Sequence, residues 1–530
     1  MSSCKPHHLA ELLDKGHHQL LTLGLKGIEK ESLRINQKGF IAQTPHPKSL
    51  GAALTHPHIT TDYSEALLEL ITPPFADIKD TLQFLHNIHQ FVANNLDDEL
   101  LLAASMPCGI NGDTSIPIAE YGRSNIGQMK HIYRQGLAWR YGRTMQSIAG
   151  VHFNYSVSEA LWPVLMAIEN KSGNLQEYIS DSYFGLIRNF LHQGWLILYL
   201  FGASPAICKS FFKSRAHLIE HFEEFDQYTL FHPFATSLRM SDIGYKSKNQ
   251  ANLEIDYNSL HGYVESLGKA ITTPYPDYEK IGVKIDGEYR QLNSNILQIE
   301  NEFYSIIRPK QIAKSCEKPT HALRERGVRY IEIRSLDLDL FNPIGIDESR
   351  SHFLEAFLLT CLFQDSPPIQ AGQQRNNDEN QLAVANQGRK PNLMLQKGEQ
   401  KISLQDWASE ILEAMQPICT ALDQSNELNP YSQSLAEQKK LVTNADLTPS
   451  ARILASMEKQ QQPFAPYALD ISEQHRQFLK GKNLSPEIIG ELNKQAEQSF
   501  ITQKNIEAFD YNSFPDFLNS YFLQDQSLDC

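Results

Sequence analysis

Glu29 and Glu31 stand two residues apart in GIEKESLRI, and side chains at i and i+2 of an extended strand point the same way. The same spacing separates Val151, Phe153 and Tyr155 from His152, Asn154 and Ser156 in GVHFNYSV. It separates Ile331 and Ile333 from Tyr330, Glu332 and Arg334 in RYIEIRSL, and an extended LQIENEFYSI would group Glu300, Glu302 and Tyr304. Taken singly, each pair is explained well enough by a solvated strand face, and a lone His152 by a structural hydrogen bond. The combination says more. Glu29, Glu31, Asp62, Glu65, Glu69, His152 and Glu332 lie in strand-like or strand-edge segments far apart in the chain. Gathered on one sheet, their like charges would repel unless a cation neutralised them. Carboxylates with one imidazole suit Mg²⁺, with Mn²⁺ as the alternative, because hard cations take oxygen ligands and retain water. Arg239, Arg308 and Arg334 on neighbouring motifs suit anionic substrates or phosphates, which the guanidinium fork grips at two points.

Several common sites are absent. The chain has no GxxxxGK[ST] loop, no GxGxxG following a strand, no GxSxG elbow and no cysteine in a nucleophile motif. If a nucleotide is handled here, metal ions rather than a glycine-rich loop must hold its phosphates.

The elements that would position these residues alternate up to about residue 360. GIEKESLRI, ALLELITP, GVHFNYSV, NILQIENEFYSI and VRYIEIRSL read as strands. DTLQFLHNIHQFVANNL, SYFGLIRNFLHQGWLILYLF and LHGYVESLGKAI carry apolar residues at helical spacing. Few units show the rhythm of a parallel sheet, so the expectation is an α+β fold on a mainly antiparallel sheet. Residues 1–369 are expected to form a catalytic sheet-and-helix region and 370–392, Gln/Asn-rich at its start, a polar loop. Residues 393–530 should be mainly helical, packed on the catalytic part as one integrated domain, with Ser485-Pro486-Glu487 starting one helix.

The 530 residues carry 48 Lys and Arg against 62 Asp and Glu, a net charge of −14 that argues against a nucleic-acid partner or an anionic membrane. The hydrophobic share of 41% excludes a disordered chain. The 7 cysteines are scattered, without CxxC pairs or zinc spacing, and predict no disulfide framework. The start lacks an apolar signal stretch, and the most hydrophobic run, Trp195 to Ala203, is about half of the ~20 residues that a spanning helix needs. A cytoplasmic protein, monomeric and free of the membrane, is expected.

From about residue 20 to at least residue 457 the chain resembles the glutamate–cysteine ligase (γ-glutamylcysteine synthetase) family of the proteobacterial type. The resemblance is carried by GIEKESLRI, GAALTHPHITTDYSEALLELITP, SMPC, YGRSNIGQMKHIYRQGLAWRYGRTMQSIAGVHFNYS, LFGASPAIC, ATSLRMSDIGY, LNSNILQIENEFYSIIRPK, RYIEIRSLD and SARIL, in that order. It implies ATP-dependent joining of the γ-carboxylate of L-glutamate to the amine of L-cysteine through a γ-glutamyl phosphate, the first step of glutathione synthesis. It also implies a fold similar to glutamine synthetase: a curved sheet forming a funnel, with helices outside. The family's metal ligands match Glu29, Glu31, Asp62, Glu69, His152 and Glu332, and Glu332 and Arg334 take the catalytic positions. Tyr133, Gln146, Asn154, Arg239, Tyr245 and Tyr304 match its substrate-binding positions, all but Asn154 in the acceptor-cysteine pocket. The stretch Gln387-Gly388-Arg389-Lys390-Pro391-Asn392 departs from the family's pattern, so no nucleotide contact is carried over there. The alternatives left open are a γ-glutamyl ligase with another amine acceptor, a non-catalytic metal- and amino-acid-binding relative, and an unrelated dimetal phosphohydrolase.

Overall fold

The computed structural model describes residues 6–212, 216–244, 250, 253–424 and 426–525. Among these residues, seven antiparallel strands form the central sheet: β1 (Leu25–Ile35), β2 (Ile59–Thr61), β3 (Leu67–Ile71), β4 (Leu100–Leu101), β5 (Val151–Ser156), β6 (Ile307–Lys310) and β7 (Tyr330–Leu336). Their order is β6-β7-β5-β1-β3-β2, with β4 paired to the end of β1. An α+β fold on an antiparallel sheet is therefore what the alternating patterns produce.

The period of two decides what each face does. Ile28, Val151, Phe153, Tyr155, Ile331 and Ile333 point to one face and are fully buried. Over that face lie α1 (Ile78–Asn95), capped by Asp77, whose carboxylate accepts the Lys79 N–H at 2.8 Å. On the opposite face α2 (Asn125–Tyr141) borders the cleft described below; its N-cap Ser124 accepts from Gly127, and it ends at Gly142, whose φ of +80° only glycine adopts freely. A third helix, α3 (Glu348–Phe363), packs on α1 and carries Glu355 to Lys26 of β1, forming a buried ion pair at 2.8 Å. Tyr431 donates to the other oxygen of Glu355 at 2.7 Å, so no oxygen of this buried carboxylate is wasted.

Two expectations from the sequence need correction. The Gln/Asn-rich stretch placed in a 370–392 loop is mostly helix, α4 (Gln373–Gln387), entered through Gly372 in the left-handed region. One face of it is held rather than solvated: Asn377, Asn380 and Gln381 are buried, Asn380 both donates to and accepts from the backbone of Gln396, at 2.7 and 2.8 Å, and Val384 and Ala385 fill the core. Second, NILQIENEFYSI is not a strand up to Ile306. Residues Glu300–Glu302 form a 3₁₀ turn, and β6 begins only at Ile307. Specific partners override the alternation there: Thr320 hydrogen-bonds Glu300 and Lys318 lies 3.7 Å from it, while Arg140 binds Glu302 at 2.9 Å.

Past residue 393 a hairpin (Met394–Lys397 with Gln400–Ser403) precedes helices almost to the end of the described chain, and Ser485 caps the helix from Pro486 as expected. One apolar cluster runs from Leu9 through the sheet to Leu422, Met457 and Leu492. A smaller one joins Met129 and Ile132 of α2 to Leu518 and Tyr521. Among the described residues no helix is long and apolar enough to cross a membrane, and Cys108, Cys208, Cys316, Cys361 and Cys419 are free.

The fold contains an acid-sensitive lock. Nδ1 of buried His56 accepts the N–H groups of His58 and Ile59, at 3.1 and 2.9 Å, which requires a neutral ring. Burial, reinforced by His58, lowers its pKa to about 4. A depressed native pKa gives stability that is full above the unfolded value near 6.5 and is lost as pH falls toward 4. The melting temperature should drop across that window, and less steeply in His56→Asn, whose side-chain oxygen still accepts; parallel curves would contradict the assignment.

Candidate functional site

The polar face of the sheet is built by register. Glu29 pairs with His152 across β1 and β5, Glu31 with Glu69 across β1 and β3, and Glu332 with Asn154 across β7 and β5. His152 is the hub. Its Nδ1 lies 3.1 Å from Glu29 and 3.4 Å from Glu332, and its Nε2 lies 3.6 Å from Glu31. Glu332 also accepts from Arg334 at 2.8 Å and lies 3.4 Å from Lys310, while Glu31 accepts the Gly150 N–H at 2.6 Å. Asn154 donates to Glu29 at 2.9 Å.

Above this face opens a cleft of about 480 Å³. Asp62, just past the end of β2, and Glu69 of β3 line it, with Lys130, Tyr133 and Arg134 from α2, and Lys310 and Arg308 from β6. Gln146 donates to the Tyr304 hydroxyl at 2.8 Å on its wall. A second cavity of about 360 Å³, lined by Arg239 and by residues of α4, shares Tyr304 and Arg334 with the first.

The electrostatics split the acids into two kinds. Burial opposes ionisation of Glu332, but Lys310, Arg334 and His152 outweigh it and hold the carboxyl well below its ordinary range. Burial would also raise Glu29, yet the hydrogen bond from His152 and the charge of Lys310 lower it. Glu69 goes the other way: burial, then Glu29, Asp62 and Glu31, push it well up. Burial likewise raises Glu31 against the pull of His152. On α2, burial and then Arg134 bring Lys130 down to about 8.

The donor set fits a divalent cation. Ligand atoms of Glu29, His152 and Glu332 all lie within 4.8 Å of one another. Nε2 of His152 and one oxygen of Glu332 are buried without a hydrogen bond, and Glu31 and Glu69 crowd the same spot. Oxygen donors with one imidazole are what Mg²⁺ or Mn²⁺ accepts.

The sequence-predicted residues are therefore largely brought together: Glu29, Glu31, Asp62, Glu69, His152, Asn154, Glu332 and Arg334 on or beside one face, with Tyr133, Gln146 and Tyr304 in the adjoining wall. Tyr245 lies outside the described residues. Arg239 borders the second cavity, not the carboxylate cleft. Glu65 is not part of the cluster: its oxygens accept the N–H groups of His46 and Glu120, at 2.8 and 2.9 Å, tying two turns together. Lys310, Lys130 and Arg134 were not singled out. The alternation of Arg308 and Lys310 in β6, and the four-residue spacing of Lys130 and Arg134 on a helix, were the available signals.

A family model described as glutamate–cysteine ligase matches residues 9–384. A glutamate–cysteine ligase of Pseudomonas putida is 48% identical over 95% of this chain and 95% of its own. The crystal structure of a glutamate–cysteine ligase from Francisella tularensis in complex with AMP superposes with a TM-score of 0.89 at 38% identity, covering 95% of this chain and 98% of that one. A bifunctional glutathione synthetase from Pasteurella multocida shares the fold at 23% identity and a TM-score of 0.69, over 98% of this chain and 58% of that one.

Proposed function

The chain belongs to the glutamate–cysteine ligase family, and on that basis we propose that it joins the γ-carboxylate of L-glutamate to the amine of L-cysteine at the expense of ATP. The products are γ-glutamylcysteine, ADP and phosphate, in the first step of glutathione synthesis. The observation that carries this reading is the cluster of Glu29, His152 and Glu332 bordered by Arg334 and Lys310, a carboxylate centre beside two cations.

A carboxylate is a poor electrophile, so glutamate must first take the γ-phosphoryl group of ATP to become an acyl phosphate. Bound at Glu29, Glu31, Asp62, Glu69, His152 and Glu332, Mg²⁺ or Mn²⁺ would neutralise phosphate charge and polarise the transferred phosphoryl group. Glu332 holds Arg334 toward the cleft through their 2.8 Å contact. Arg334 and Lys310 present fixed positive charge to phosphate oxygens, and Arg334 to the oxyanion formed when the cysteine amine attacks. Phosphate then leaves, and the amide remains. Tyr133, Gln146, Arg239, Tyr245 and Tyr304 form the acceptor pocket in this reading, with Asn154 as a further substrate-binding residue. Burial raises the phenols of Tyr133 and Tyr304, which keeps them neutral hydrogen-bonding walls.

Nucleotide binding is supported by the AMP held in the Francisella relative. The polar sheet face with α2 standing over one side supports a funnel of the glutamine-synthetase kind, closed outside by helices. The continuous apolar cluster supports a single integrated unit in which residues 393–530 brace the catalytic part. We place the protein in the cytoplasm as a monomer acting on glutamate, cysteine and ATP alone.

Release of ADP and phosphate should require glutamate, cysteine and Mg²⁺ together. ATP turnover indifferent to both amino acids would refute the proposal. Offering 2-aminobutyrate and alanine in place of cysteine tests the acceptor: kcat/KM should fall from cysteine to 2-aminobutyrate to alanine, and a preference for either substitute would name a different acceptor.

A further inference from the structure

Arg239 is only 1% exposed. Its guanidinium lies against Gly150, where an added Cβ would sit 2.2 Å from one terminal nitrogen, and it donates to the backbone oxygen of Arg334 at 2.8 Å. Arg239 is carried on the short turn Leu238–Met240. Asp337 anchors that turn. This buried carboxylate, just past the end of β7, accepts from the Ala203 N–H at 2.8 Å, the Ser204 hydroxyl at 2.6 Å and the Ser237 hydroxyl at 2.8 Å.

Because both hydroxyls give their protons to Asp337, their lone pairs face the turn. Ser204 accepts the Arg239 N–H and Ser237 the Met240 N–H, both at 3.3 Å. The strand that bears Glu332 and Arg334 thus also fixes, three residues beyond Arg334, the turn that bears Arg239.

We propose that Asp337, acting through Ser204 and Ser237, is a positioning residue for Arg239, holding its guanidinium flat on Gly150 beside Arg334. This rests on the reading of Arg239 as a contact for the acceptor amino acid. An amide at 337 would direct an N–H at one hydroxyl, compete with the backbone N–H of Arg239 or Met240, and loosen the turn without emptying the site.

The test is kinetic. In Asp337→Asn the KM for cysteine should rise about 10-fold while kcat falls less than about 3-fold and the KM for ATP stays unchanged. Arg239→Lys should raise the cysteine KM comparably, and adding it to Asp337→Asn should cost less than about 2-fold more, since both act on one contact. If Asp337→Asn fails to fold, Ser237→Ala cuts the same link and should show the same split. An unchanged cysteine KM in Arg239→Lys would remove the assigned role of Arg239 and the proposal with it. A raised KM there beside an unchanged one in Asp337→Asn or Ser237→Ala, equal changes in all three substrates, or fully multiplicative effects in the double variant would overturn the positioning role alone.

Discussion

Glu332→Gln is expected to lower kcat by about 10³-fold or more while the protein remains folded. That factor corresponds to about 4 kcal/mol of lost transition-state stabilisation. Gln has the shape of Glu, so the packing in β7 survives. The lost charge decides the outcome. Glu332 is almost fully buried, and its ionised form is held by Lys310, Arg334 and His152. Its contacts with Arg334 and Lys310, at 2.8 and 3.4 Å, hold two cations beside the place proposed for the phosphoryl group. Removing the charge takes a ligand atom from the cluster with Glu29 and His152 and leaves those cations without their shared counter-charge. Circular dichroism and the melting temperature would establish that the variant is folded. Near-normal turnover in a folded variant would contradict the role given to Glu332.

Removing divalent ions with a chelator should bring turnover to background, and adding Mg²⁺ should restore it and raise the melting temperature. The reason lies in the crowding of Glu29, Glu31, Asp62 and Glu69, whose repulsion adds to burial in raising the carboxyl of Glu69. A cation relieves this repulsion only in the folded state, and at about 100 times its dissociation constant it contributes about 2.7 kcal/mol. Glu69→Gln sharpens the test. Without metal, the variant should melt higher than the parent, because one member of a repelling group is gone; with Mg²⁺, its gain should be smaller. Turnover that persists in excess chelator, or melting temperatures indifferent to Mg²⁺ in both proteins, would contradict the cation site.

Much of this site is legible in the sequence because strand alternation is a strict geometric code. Once β1, β5 and β7 are extended, Glu29 with Glu31, His152 with Asn154, and Glu332 with Arg334 must share faces. What alternation does not specify is register, and register puts His152 opposite Glu29 rather than two residues away. The same code misled at Glu300 and Glu302, where Thr320 and Arg140, remote in sequence, take the two acids into a turn. It misled at Glu65 as well, an acid whose oxygens serve two backbone N–H groups instead of the cleft. Composition failed at 373–387, since a polar helix with buried Asn377, Asn380 and Gln381 looks like a loop until its partners are known. The anchoring of Arg239 by Asp337 was beyond reach for the same reason, because it joins residues 203, 204, 237 and 337 through side-chain contacts that no local pattern encodes.

In the proposed reaction glutamate is activated as an acyl phosphate beside Glu332 and Arg334 and then captured by the amine of cysteine. The most direct measurement is to supply glutamate labelled with ¹⁸O in its γ-carboxylate, together with ATP, Mg²⁺ and cysteine, and to analyse both the phosphate and the peptide. Each phosphate released should carry one labelled oxygen, and the peptide should be joined through the γ-carbonyl to the cysteine nitrogen. Phosphate without label, or release of phosphate with no peptide formed, would contradict it.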